Sequence, residues 1–263
     1  FLLLPVVVFL LFFVRPIISI PVVMLLIAVY LLSIREEIRN NQIFEISGFR
    51  LFLFIIICVV WCFLGGQGGL FYQTSDWNER NAIFRDLITN SWPVYYPVTN
   101  TALTYYIGHW LPAAFFGSLI YLGSNNAELA FSVGNIALGL WTLIGVVVTL
   151  LLVICSVRPK TSIGQLFVLI LFIGFSGMDI LGCLIQKWTL SDIFRILHLE
   201  WWIEGYQFSS NTTCLFWVFN QAVTAWIATL CFYNESNNRN YAFIIGCSLL
   251  SSSLPCVGLA IMM

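Results

Sequence analysis

The chain has 263 residues, of which 60% are hydrophobic and only 9% charged, against roughly a quarter charged in an ordinary soluble domain. Its 11 Lys and Arg against 12 Asp and Glu leave a net charge of -1, and its mean hydropathy is +0.94. So few charges cannot cover a water-facing surface on this much apolar material, and the near-neutral balance excludes a basic nucleic-acid footprint. The expected fold class is all-α: a polytopic transmembrane helical bundle, integral to the membrane in several passes and in contact with lipid. The chain opens on Phe1 and stops inside an apolar run at Met263, so residues 1–263 are expected to be the transmembrane domain of a longer protein.

A membrane-crossing helix needs ~20 mostly apolar residues. Runs of that kind fall at about 1–14, 17–34, 51–67, 102–122, 133–156, 163–185, 212–233 and 241–262. Arg15-Pro16 separates the first two. The connection at 35–50 carries Arg35, Glu36, Glu37, Arg39, Glu45 and Arg50, and a second basic connection at 157–162 carries Arg158 and Lys160. The positive-inside rule places both in the cytoplasm. Three expected spans lie between them, however, and an odd number of crossings forbids that. The segment 102–122, opened by Tyr and His and interrupted by Pro112, is the one expected not to be a simple crossing. Cys58, Cys62, Cys155, Cys183, Cys214, Cys231, Cys247 and Cys256 form no CxxC pair and stand mostly in apolar runs, as small buried hydrophobes do.

The first long extramembrane loop is expected at 65–101. Gly65-Gly66-Gln67-Gly68-Gly69 reads as a flexible exit from the preceding span; it lacks the Lys-Ser/Thr ending of a phosphate loop. From Glu79 onward the spacing predicts a short amphipathic helix, with Ile83 and Leu87 on one face, Phe84 and Ile88 beside them, and Asn81 and Arg85 on another. Such a helix is expected to lie along the membrane surface, closed by the interfacial aromatics of Trp92-Pro93-Val94-Tyr95-Tyr96-Pro97. Two readings stand for Asp76. It caps this helix with Glu79 as the partner of a capping box, or it is a carboxylate at a cavity mouth beside Arg80 and Arg85, placed as a general base next to a phosphate site.

Further on, Tyr105, Tyr106, His109 and Trp110 fall on one side of a helix, either as an interfacial belt or as the wall of a substrate cavity. Asp179 follows Gly174, Ser176 and Gly177 inside an apolar run, where an ionisable group marks function or a helix end. A second polar and aromatic loop is expected at 186–211, with His198 and Glu200 as candidate substrate contacts. Those two are only two residues apart and make a weak metal pattern. Ser209-Ser210-Asn211-Thr212-Thr213 opens the next helix, as a cap or as an anion or sugar-hydroxyl site. Asn220 and Gln221 lie mid-span and need a partner there.

The order of these features, two apolar spans, a basic linker, then a span leading into a long loop with an early Asp and surface helices, resembles the C-type glycosyltransferase (GT-C) superfamily. Asp76-Trp77-Asn78-Glu79-Arg80-Asn81, with Phe84-Arg85-Asp86-Leu87 and Trp92-Pro93-Val94, is also similar to a group of largely uncharacterised bacterial polytopic membrane proteins. The resemblance covers roughly 45–160. It implies a cytoplasmic-membrane enzyme of the bacterial cell envelope that moves a sugar from a polyprenyl-phosphate carrier to a hydroxyl acceptor. Asp76 and Glu79 would then be the catalytic acids, and Arg80, Arg85, Tyr105, Tyr106, His109, His198 and Glu200 the substrate contacts. The superfamily commonly shows Asp-x-Glu or Asp-Asp, whereas Asp76 and Glu79 are three apart, so the spacing gives no support for a bound divalent ion and no cofactor is expected with certainty. The alternatives are a transporter or flippase of a lipid-linked sugar or small solute, which predicts a polar midplane pathway, and a non-catalytic membrane subunit.

Overall fold

The computed structural model describes residues 1–40, 47–195, 199–203, 205–235 and 237–263. The fold is all-α. In chain order the helices are α1 (Leu3–Phe13), α2 (Pro16–Asn40), α3 (Gly48–Leu64), α4 (Asp76–Thr89), α5 (Leu111–Ser124), α6 (Ala127–Val157), α7 (Ser162–Gly174), α8 (Asp179–Ile185), α9 (Leu190–Arg195), α10 (Asn211–Asn234), α11 (Tyr241–Ser248) and α12 (Ser253–Met262). Short 3-10 turns lie at Ile107–His109, Leu199–Trp202 and Asn238–Asn240. The strand content of the described residues is one two-residue antiparallel pair, β1 (Tyr95–Tyr96) with β2 (Thr101–Ala102). Among the described residues, α2 over Pro16–Ser33, α6 and α10 are long and apolar enough to cross a membrane, and α7 with α8, bent by 55°, makes a fourth if taken as one span.

The long helices start where side chains can take up their free N–H groups. Asn126 accepts from the Leu129 N–H ahead of α6, Thr161 from Gly164 N–H ahead of α7, and Ser210 from Thr213 N–H ahead of α10. α6 has 31 residues, a length of about 46 Å, and the other elements pack around it.

Contacts between distant residues sort the connections into two ends. At one end Arg50, at the start of α3, donates to Gln165 (2.9 Å) and Ser162 (3.4 Å) at the start of α7. There too Asn234 donates to Ser156 (2.7 Å), and Ser33 donates to Asn240 (3.0 Å). At the other end the Trp61 indole of α3 donates to Thr212 at the start of α10 (3.2 Å). Asn211 and Thr212 in turn donate to the last carbonyls of α7, those of Phe172 and Ile173 (2.8 Å each). The described flanks of the two basic connections therefore lie at one end, and the described flanks of the loops 65–101 and 186–211 at the other.

Within the fold, 102–122 does not run the length of α6, so it need not count among the expected crossings that set up the parity conflict. α5 has 14 residues and starts only at Leu111, with Pro112 in its first turn, where a missing N–H costs nothing. It runs antiparallel to α6. Gly117 faces Ala130 near the start of α6, while His109, just ahead of α5, donates to or accepts from Thr142 halfway along it (3.0 Å). The chain runs along α6 as far as its middle, at the 3-10 turn Ile107–His109, and returns through α5 to the end it came from.

The run 241–262, expected as one span, is likewise two helices. α11 and α12 fold back on each other, with the Cys256 thiol donating to the Ile245 carbonyl (3.5 Å) and Leu259 packed against Ala228, Phe232 and Ile244. The break falls at the serine-rich tip, where hydroxyls compete for the backbone; Ser252 donates to the Gln221 carbonyl at the middle of α10 (2.5 Å). The tips of these two folded-back segments meet. The Gly108 N–H donates to the Leu250 carbonyl (3.4 Å), and a Cβ on Gly108 would press against Ser251.

The residues 65–69 are not a flexible exit. Gly65, Gly66, Gln67 and Gly68 are buried, and the turn lies flat on α6. A Cβ on Gly139 would stand 3.0 Å from the Gly68 Cα and 3.2 Å from its N, so side-chain atoms are excluded from this contact. Gly123, on α5, has open space at the same position. Gly139→Leu is therefore expected to destabilise the protein by about 1–3 kcal/mol through overpacking. Gly123→Ala should leave the thermal midpoint in detergent unchanged or raised.

Candidate functional site

α4 begins at Asp76, one residue earlier than a capping role for Asp76 requires. Its N-cap is Ser75, which makes no side-chain capping bond, so the capping box is not formed. Asp76 instead reaches forward one turn to Arg80 (Oδ2 to Nη2, 3.6 Å). The carboxylate is 52% exposed at its side chain, while that of Arg80 is 9% exposed. Burial pulls the Arg80 pKa down, and Asp76, Tyr105 and Glu79 oppose that pull. The guanidinium lies 6.0 Å from the centre of the Trp77 ring, which stacks on Phe219 of α10 (5.0 Å). Its Nη1 is buried without a hydrogen-bond partner.

The apolar face of α4 is covered by protein rather than by a membrane surface. Phe84, Leu87 and Ile88 are buried against α5 and α6, and Ile88 fills the space over Gly117 and Gly134. This separates Arg85 from Arg80. Arg85 forks onto Glu128 at the start of α6 (2.6 and 3.4 Å) and lies 4.5 Å over the Phe131 ring. That hydrogen bond raises the Arg85 pKa and lowers the Glu128 pKa. Glu79 is exposed on the outer side of α4. Asp76 and Arg80 thus form a pair, and Arg85 belongs to a separate surface contact.

Tyr105 and Tyr106 lie ahead of the 3-10 turn, not on a helix with His109. Tyr105 is exposed and stacks on Trp110 (5.6 Å), with Tyr106 5.5 Å away. His109 is completely buried beside the middle of α6, bonded through Nε2 to Thr142 and flanked by Phe219 (5.5 Å), with Nδ1 unpartnered. Asn220 is buried with its Nδ2 unpartnered as well.

In the second loop, Asp179 starts α8 and accepts from the Trp202 indole (3.2 Å), so it marks a helix end. Glu200 is buried in the 3-10 turn at Leu199–Trp202 and accepts from Gln207 (3.3 Å). His198 lies outside the described residues. The Ser-Asn-Thr string at 209–213 is taken up by the cap of α10 and by the carbonyls of α7, which removes the anion-site reading. Among the described residues, no three His, Cys, Asp or Glu side chains come together as a metal group.

Two residues with no assigned role in the sequence reading, Gln67 and Asn135, are buried with part of their polar capacity unmet. Gln67 donates through Nε2 to the Leu215 carbonyl (2.7 Å), one turn before Phe219 and just ahead of the break in α10 at Val218. Its Oε1 is buried and unpartnered. Asn135 of α6 lies against Gly69, and its Oδ1 is also buried and unpartnered. Such an atom costs about 1–3 kcal/mol unless something occupies it. A polar residue enclosed by two glycine pairs at the end of an apolar run was the available signal for Gln67. Compared with protein-family models, curated proteins and solved structures, the chain gives no match.

The loop rim supplies a separate test of this geometry. Tyr96 donates to Asp86 (2.6 Å), and that hydrogen bond, with some burial, pushes its phenol up to about 12. The folded value lies above the unfolded one of about 10, so the contact stabilises fully below pH ~10 and is lost as pH rises through the folded value. An ultraviolet tyrosinate titration of wild type minus Tyr96→Phe should show one late-titrating group, and Asp86→Asn should return it towards the ordinary range.

Proposed function

We propose that the chain is a multi-pass membrane glycosyltransferase of GT-C type that moves a sugar from a polyprenyl-phosphate carrier to a hydroxyl acceptor. The observation that carries this reading is the Asp76–Arg80 pair at the loop end of the helices: a half-exposed carboxylate tied to a buried guanidinium with one N–H group uncommitted. In the reaction, Asp76 takes the proton of the acceptor hydroxyl as its oxygen attacks the sugar's anomeric carbon. The bond from that carbon to the phosphate oxygen breaks with inversion, and the electron pair leaves with the polyprenyl phosphate. Arg80 receives the charge that collects on the phosphate. Glu79 and Arg85 have no part in the step, since one faces away and the other is held by Glu128.

Arg35, Arg50, Arg158 and Lys160 lie at the opposite end, which by the positive-inside rule is the cytoplasmic one. Asp76 then works on the outer face, of the cytoplasmic membrane if the host is bacterial. An epitope inserted beside Val98 should be reached in intact cells, and one inserted beside Lys160 only after permeabilisation.

Asp76→Asn keeps the size of the side chain but removes the base. Purified protein in lipid discs, given a polyprenyl-phosphate sugar and acceptor, should lose transfer by about 10²–10⁴-fold with this variant, while carrier binding persists. Transfer at the wild-type rate would remove Asp76 from the mechanism.

A transporter reading is favoured by one observation, the meeting of two folded-back tips beside buried His109. It expects lipid-linked sugar supplied to one leaflet of a liposome to appear in the other. Gly108→Leu, which wedges the tips, should stop that flux and spare sugar transfer.

A further inference from the structure

We infer that α8 and α9 lie along the headgroup–acyl boundary of a bilayer, at the end of the bundle where α7 meets α10. This rests on the membrane reading of the chain and not on the sugar transfer proposed above. The observation that carries it is a reversal of polarity. On α8, Asp179, Gly182 and Cys183 are buried, while Ile180, Leu181, Leu184 and Ile185 are exposed, at 58%, 51%, 49% and 70%. Helical periodicity puts these two sets on opposite faces. The carboxylate is turned inward, where the Trp202 indole donates to it (3.2 Å), and the Trp202 ring closes over Gly182. A helix bathed in water keeps its charges outward and its aliphatic side chains inward. α8 does the opposite, so the medium outside it is apolar.

α9 repeats the pattern. Ile193 is buried, and Leu190 and Phe194, one turn apart, are 66% and 86% exposed. Its start is satisfied without water: the Thr189 N–H and hydroxyl donate to the Asp192 carboxylate (2.9 and 2.6 Å), and the Asp192 N–H donates back to the Thr189 hydroxyl (3.2 Å). Lys187 and Arg195 are exposed and long enough to carry their charges to headgroups. The identity of the apolar medium follows from continuity. Exposed apolar side chains succeed one another along α7 at Phe167, Ile170 and Leu171, and continue through Phe175 and Met178 to the outer face of α8.

The bend sets the depth. Asn211 and Thr212 donate to the Phe172 and Ile173 carbonyls, and the Asn211 N–H donates to the Phe175 carbonyl (3.0 Å). α7 therefore ends level with the start of α10, a helix long enough to cross a membrane alone. α8 leaves that level bent by 55° from α7. Its seven residues span about 10 Å and so advance only about 6 Å along the α7 direction, within the ~5–10 Å reach of an interfacial helix.

The test places a nitroxide at Leu184 or Phe194 of the protein in lipid discs, attached through p-acetylphenylalanine so that the eight cysteines stay untouched. Val98, 98% exposed between β1 and β2, is the water reference, and Leu171 on α7 is the acyl-chain reference. The collision probes are oxygen, which concentrates in the bilayer, and a water-soluble nickel chelate. At Leu184 and Phe194 the oxygen-to-nickel collision ratio is expected to stand several-fold above that at Val98 and below that at Leu171. A ratio as low as at Val98 puts the segment in water and overturns the inference. A ratio as high as at Leu171 overturns it too, since α8 would then continue the crossing. Protection from both probes, as a covering protein would give, does the same. These three outcomes leave the membrane reading and the Asp76 chemistry standing. If Leu171 itself is reached mainly by nickel, the membrane reading of α7 falls, and the interfacial placement with it. A labelled protein whose thermal midpoint drops is replaced by one labelled at Ile180 or Leu190, one turn away on the same faces, and the same outcomes are read.

Discussion

The close approach of the glycine turn at 65–69 to α6 is the contact that sets where the chain leaves α3 and enters α4. Backbone polar groups in an apolar interior must find partners, and this turn finds them locally. Gly65 N–H donates to the carbonyls of Trp61 and Cys62, Gly66 N–H to Phe63, and Gly69 N–H to Gly66. With those groups satisfied, the backbone of Gly68 can lie directly on Gly139. A side chain at either position would hold the two segments apart. The positive φ of Gly68 at +88° then turns the chain towards α4.

From that contact the site follows. α4 is carried over the start of α6 and onto α5, where Ile88 fills the gap above Gly117 and Gly134. Its first turn is directed instead at α10, and the Trp77–Phe219 stack fixes that direction. Arg80, one turn after Asp76, is drawn into the interior, while Arg85 faces out to Glu128. Two arginines five residues apart thus have different environments because helical periodicity turns them to different faces.

Much of this was legible from residue order alone. The apolar runs behind α2, α6 and α10, the break at Arg15-Pro16, the cap at Ser210 and the amphipathic pattern of α4 are local properties, set by side-chain chemistry and helical period. So was the suspicion that 102–122 is no simple crossing, since Pro112 and the polar residues before it stand in its sequence. What covers the apolar face of α4 was not legible: a lipid boundary and the flank of α6 ask for the same pattern of Ile, Phe and Leu. The glycine turn was misread for a related reason, because glycine pairs serve flexible exits and tight buried contacts equally well. The division of 241–262 into α11 and α12 escaped because its composition is apolar throughout apart from serines, and serine is tolerated within helices.

By itself the sequence determined that this is an all-α chain with helices long and apolar enough to cross a membrane, and that its polar and charged residues concentrate in the connections at 35–50, 65–101 and 186–211. Those are consequences of composition and short-range period, which need no knowledge of neighbours. Only the tertiary structure decided that the described flanks of the basic connections lie at one end, that Asp76 pairs with Arg80 and not Arg85, and that Gln67 and Asn135 are buried with free acceptor oxygens. Each of these depends on contacts between residues far apart in the chain, such as Gln67 with Leu215 or Gly68 with Gly139. No local pattern encodes them, because they arise only when the helices pack.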